Sequence, residues 1–136
     1  MGQFVYPYQD IKLEKPSDYT ETEPLALSAA TFLLITPFTM NDLNRLRALS
    51  FLSNWMAGVK DFEIHRRGIF QDIAGDENVT ALFIAALVKY RIENKKQLPS
   101  PMIIEVNACK MVLVYCDNPV NNYRIKKKLR KFLENN

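Results

Sequence analysis

The chain has 136 residues, 48% of them hydrophobic, and a formal net charge of +3, which suits one domain with a real core and argues against disorder beyond the ends. Two cysteines without CxxC spacing, Cys109 and Cys116, and a single histidine, His65, leave general-base, zinc and disulfide chemistry little to draw on, so no catalytic residue, cofactor, metal or small-molecule substrate is expected. The charge is uneven, with 7 basic and 11 acidic residues up to Thr80 and 11 basic and 4 acidic from Ala81 onward, a split that suggests an anionic partner or a chain folding one pole against the other.

Residues 1–23 read as an extended, acidic, tyrosine-bearing arm suited to docking on a basic surface. Gln3 to Tyr6 would form an edge strand there, because the proline that follows is tolerated at edges and turns. Gly2 does not open a myristoylation signal, since the sixth position is Tyr6 where Ser or Thr is required. From Pro24 to Pro37 the apolar run Leu25 to Ile35 predicts a buried helix, opened by one proline and closed by the other. An acidic segment precedes it where a signal peptide would carry a basic one.

Thr39 and Asp42 have a spacing like that of a capping box, and a third helix should begin at Leu43. Its leucines at 43, 46, 49 and 52, with Trp55 and Met56, drift around the axis and predict contact with two neighbours; Gly58 is the expected left-handed stop. Residues 59–75 are ambiguous, with a helix broken near Gly68 preferred over a strand at Phe62 and Ile64. His65 beside Arg66 and Arg67 reads as an ordinary surface or structural histidine. Asp72 and Asp76 lack calcium-loop spacing.

The stretch around which the chain should be organised is DENVTALFIAALVKYRIENK, from Asp76 to Lys95. Its eight consecutive apolar residues, Ala81 to Val88, would make a helix over 77–94 hydrophobic on nearly every side, which others must wrap. Asp76 can cap the start and Lys95 and Lys96 suit the C-terminal end. The run falls short of the roughly 20 apolar residues of a membrane span. A proline linker follows, and Met102 to Cys116, rich in β-branched residues, reads as a hairpin turning near Asn107 to Lys110, with a buried helix as the rival. The two cysteines would then be packing residues.

Asn118 and Pro119 open a last helix over 119–134, in which Ile125, Leu129, Phe132 and Leu133 form a narrow apolar seam. Arg124, Lys126, Lys127, Lys128, Arg130 and Lys131 fall outside that seam and are the candidate residues for nucleic-acid or anion binding. Lys89, Arg91, Lys95, Lys96 and Lys110 would widen the patch if the fold brought them close. A lysine-rich helix without Asn or Gln among its cations positions a phosphate backbone and does not read bases. KKKLRK also has the composition of a nuclear-import signal, a pattern of low specificity.

The expected architecture is mainly α (α+β): about five helices bundled around the helix at 77–94, a small β-hairpin near 102–116 and the arm. Residues 1–23 form the arm and 24–136 one helical domain ending in the basic amphipathic helix. The function expected is that of a non-catalytic protein-interaction or assembly module, part of a larger complex. Its partner would be another protein or a second copy. The alternative is a nucleic-acid-binding protein making largely non-specific phosphate contacts through the last helix. A membrane partner is disfavoured, and the expected setting is intracellular (cytoplasmic) with reduced cysteines and no signal peptide or transmembrane segment.

Overall fold

The computed structural model describes residue 8, residues 10–59 and residues 76–135. Among them are six α-helices and no strand: α1 (Pro16–Glu21), α2 (Glu23–Ile35), α3 (Leu43–Gly58), α4 (Glu77–Glu93), α5 (Pro101–Asp117) and α6 (Lys127–Glu134). Short 3-10 turns at Lys95–Gln97 and Pro119–Asn121 complete the set. The expected strand at Gln3 to Tyr6, the broken helix around Gly68 and His65 lie outside the described residues.

The central helix forms as its sequence predicts. The Asp76 carboxylate accepts the N–H groups of Asn78 and Val79, each at 3.1 Å, which satisfies two of the donors that a helix N-terminus leaves open. At the other end the Asn94 side chain donates to the Tyr90 carbonyl. Val79 and every residue from Leu82 to Val88 are buried, and they are shared between two cores. Ile84, Ala85 and Val88 face α2 and α3, while Val79, Leu82, Phe83, Ala86 and Leu87 face α5, the chain after it and α6. Helix α4 is therefore a partition packed from both sides.

The α2 and α3 side is built for close approach, with Ala26, Ala29 and Ala30 of α2 set against Ala48 and Ala85, so that the backbones lie near one another and large residues fill the margins. Within α3 the buried stripe runs through Arg45, Ala48, Phe51, Leu52, Trp55 and Met56, whereas Leu43 and Leu46 are exposed. Asp42, and not Thr39, caps that helix, accepting the N–H of Asn44 at 2.8 Å. Gly58 ends the helix without a left-handed backbone. Its function is clearance: the Tyr19 ring and hydroxyl occupy the place where a Cβ would stand.

Part of the segment expected to be an extended arm is folded back. Pro16 fixes the first turn of α1, and the Asp18 carboxylate accepts the N–H groups of Glu14 and Lys15 at 2.9 and 2.8 Å. These backbone bonds, that from Lys15 foremost, hold the Asp18 carboxyl below its ordinary range. Trp55 Nε1 donates to the Tyr19 carbonyl at 3.1 Å, and Tyr8 stacks on Phe51 with centroids 4.8 Å apart.

The expected β-hairpin at 102–116 is corrected to a helix. Ile104, Ala108, Cys109, Val112, Tyr115 and Cys116 are the buried residues of α5, a helical spacing that α4 rewards along its whole length. Packing against that apolar wall outweighs the strand preference of the β-branched residues. Asn107, expected in a turn, donates to the Ile103 carbonyl one helical turn back.

The expected continuous helix over 119–134 is also corrected. After the 3-10 turn, Asn122 takes the left-handed conformation (φ 50°, ψ 43°), and α6 begins only at Lys127. Tertiary anchors account for the break. Asn121 Nδ2 donates to the Tyr115 carbonyl at 2.7 Å and its own carbonyl accepts the Phe38 N–H at 3.0 Å. Tyr123 donates to the Asp76 carboxylate, 2.6 and 2.7 Å from its two oxygens, and Ile125 is buried. A helix starting at Pro119 would carry these groups around its axis and away from their partners.

Candidate functional site

The six cations singled out from the sequence do not share one helix. Arg124 lies in the extended stretch, Lys126 is the N-cap of α6, and Lys127, Lys128, Arg130 and Lys131 are within it. Arg130 is committed to the fold, paired with Asp117 at 2.5 Å and with Glu134 at 3.7 Å. The Asp117 contact is the main reason its guanidinium is held above its ordinary pKa. Arg124, Lys126, Lys127, Lys128 and Lys131 are exposed, and no ion pair engages them among the described residues. Lys127 and Lys128 stand in the first turn of α6, where there is no acidic residue, so they add positive charge to the positive end of the helix dipole.

Two members of the wider patch are engaged by carboxylates. Lys89 pairs with Glu93 at 2.8 Å and Lys95 with Glu23 at 2.6 Å. The second of these joins the acidic and basic halves of the chain, while the Arg130 and Lys89 pairs fall within the basic half.

A second surface went unnoticed in the sequence. The C-terminal end of α2, the last turns of α4 and the outer side of α5 enclose an open groove of about 500 Å³. Leu34, Tyr90 and Met111 contribute half-buried apolar side chains to it, and Ile35 and Val114, 70% and 72% exposed, stand at its edges. Its polar lining is lysine and asparagine, with the buried Tyr115 bonded through its hydroxyl to the Thr36 carbonyl at 2.8 Å. No carboxylate is among the lining residues described. The signal for this surface was present only in helical register: with 102–116 wound as a helix, Ile103, Asn107, Lys110 and Val114 fall on one face, opposite the core. Read as a hairpin, the stretch conceals it.

Arg45 was likewise missed. It is 8% exposed and donates to the Leu33 carbonyl at 3.1 Å, and to the Thr36 carbonyl and hydroxyl at 3.2 and 2.9 Å. Its charge sits at the negative end of α2 and lies 5.8 Å from the ring centroids of both Phe38 and Tyr115. Every donor contact is to the fold itself, which makes Arg45 structural.

Cys109 and Cys116 are buried and unbridged, and burial pushes each thiol up to about 11. At neutral pH both are protonated packing groups. Burial, followed by the bond to Asp76, pushes the Tyr123 hydroxyl well above its ordinary value, so it acts as a donor and not as an acid. Among the described residues no group of three or more His, Cys, Asp or Glu is placed to hold a metal ion, and no helix is long and apolar enough to cross a membrane. Comparison of the chain with protein-family models, curated proteins and solved structures finds no match.

Proposed function

We propose that the chain is a non-catalytic protein-interaction module, a component of a larger complex, that receives a partner in the groove between α2, α4 and α5. The observation that carries this reading is the pair Ile35 and Val114, 70% and 72% exposed over an apolar floor. An apolar depression rimmed by polar groups and set on helices is the form that protein recognition surfaces take. The lining offers lysine and asparagine without a nucleophile paired to a base, which supports binding over catalysis. A photo-crosslinking amino acid at Val114, compared with one at exposed Ser50 on α3, tests the reading in native extract. Discrete adducts from position 114 that are absent from position 50 and vanish with Ile35→Asn are expected. Identical adducts from both positions, or none from either, would sink the docking role.

A second reading rests on a separate observation, the five cations from Arg124 to Lys131 that carry no ion pair among the described residues. Phosphates along a nucleic-acid backbone would supply the negative charge that the first turn of α6 lacks. With five phosphates engaged, affinity for a generic duplex should fall about 500-fold between 50 and 200 mM salt. The triple change Lys126→Gln, Lys127→Gln and Lys128→Gln should flatten that slope without lowering Tm. Unchanged binding would remove the basic segment from the reading.

A further inference from the structure

We infer that the occupant of the groove is an acidic amphipathic helix of another protein, a conclusion that rests on the docking reading above and adds the chemistry of the partner. The groove follows α5 from Asn107 to Asn118, roughly 16 Å at 1.5 Å per residue, or about three helical turns. An elongated apolar trough of that length fits a helix laid along it, with side chains spaced three and four apart reaching the floor.

Charge selects among helices. Lys110 on α5 and Lys89 on α4 both line the groove, Lys110 is exposed and without an ion pair among the described residues, and no described lining residue is a carboxylate. Glu93 partly satisfies Lys89, at 2.8 Å on the same helix. An incoming helix with carboxylates beside its apolar stripe would complete Lys110 and share Lys89. One flanked by lysines would be repelled.

The same charges disfavour a symmetric second copy. Two grooves closing face to face about a twofold axis would bring together both Lys89 and both Lys110 side chains with no carboxylate from either lining. Nucleic acid is a poorer fit as well, because Leu34 and Met111 of the floor and Ile35 and Val114 at the edges are aliphatic, and Tyr90 alone could stack on a base.

The test uses the full chain and two labelled 14-residue peptides, followed by fluorescence anisotropy. Both carry leucine at helical three-and-four spacing; glutamate flanks the stripe in one and lysine in the other. The glutamate peptide should bind about tenfold more tightly, the equivalent of one well-placed rim charge. Lys110→Glu should reverse that preference, and Val114→Asn should weaken the glutamate peptide about tenfold or more. Both positions are exposed, so neither variant should lower Tm. Equal binding of the two peptides, lost in Val114→Asn, would overturn the acidic partner and leave the docking reading intact. Failure of both peptides to bind, or binding indifferent to Val114→Asn, would overturn both. A dimer by light scattering that Val114→Asn dissociates would make a second copy the occupant and refute the inference.

Discussion

Helix α4 has two sides, and they are finished differently. Toward α2 and α3 the contact is made by alanines, the margins hold Phe51, Trp55 and Met56, and the folded-back segment with Tyr8 and Tyr19 covers the outside. Toward α5 and α6 the core is equally buried, yet its outer rim is left open between Ile35 and Val114, and the cations of the last segment face solvent. Both sides bury enough apolar surface to hold their helices. The difference lies in what covers the margin among the described residues: on one side the folded-back segment forms a lid, and on the other apolar and cationic side chains stand exposed. Polar ties follow the same division. Arg45 and Trp55 hold the closed side together from within, while Asn121 and Tyr123 cross from the C-terminal segment to fasten the open side at its ends.

The contrast can be broken most severely at the partition. Phe83 is fully buried, and Phe83→Ala should cost about 3–5 kcal/mol in urea unfolding. Both sides should then melt together, and separate transitions for Trp55 fluorescence and far-UV circular dichroism would show that the two cores are independent. Arg45→Ala removes donors to Leu33 and Thr36 from a buried setting and should cost about 3 kcal/mol, because the Leu33 carbonyl loses its guanidinium donor and the Thr36 carbonyl keeps the Tyr115 hydroxyl but not the charged one. Arg45→Met, which keeps the stem but not the donors, should recover only part of that loss.

Gly58→Ala forces the Tyr19 ring aside and should cost about 1–3 kcal/mol, with a red shift in the emission of Trp55 as the cover over the closed side loosens. Unchanged stability and emission would mean that the folded-back segment contributes nothing to the lid. The smallest effect concerns pH. Asp18 titrates below its ordinary 3.8 in the folded chain because Lys15 and Glu14 donate to it. Its contribution is therefore present above the unfolded pKa and lost as pH falls through the folded one. Asp18→Asn should lower Tm slightly at pH 6, the difference from the parent chain should shrink as pH falls through the folded pKa, and the loss should appear in α1 by hydrogen exchange.

Much of the architecture was legible in the residues. The apolar run from Ala81 to Val88 announces a helix that others must surround whatever its neighbours are, and Asp76 and Pro24 mark helix starts through chemistry that acts within one turn. The candidate site was less legible. The cations between Arg124 and Lys131 are visible as a cluster, but nothing nearby in sequence reveals that Arg130 is claimed by Asp117. The groove was invisible while 102–116 read as strands, because its face exists only at helical period.

Local signals, then, determined what could be settled within a turn or two: that the stretches opened at Pro24, Asp42 and Asp76 are helical, and that the centre must be wrapped. Tertiary structure decided the rest. Only the long apolar wall of α4 makes a helix of β-branched residues at 102–116. Only the bonds to Phe38 and Asp76, both distant in the chain, together with that to Tyr115 hold the segment after Asn118 out of helix. Only the meeting of three helices brings Ile35, Lys89 and Val114 to one surface. Each of these depends on partners far apart in sequence, whose gain in burial or hydrogen bonding exceeds the small backbone preferences that a single stretch can express.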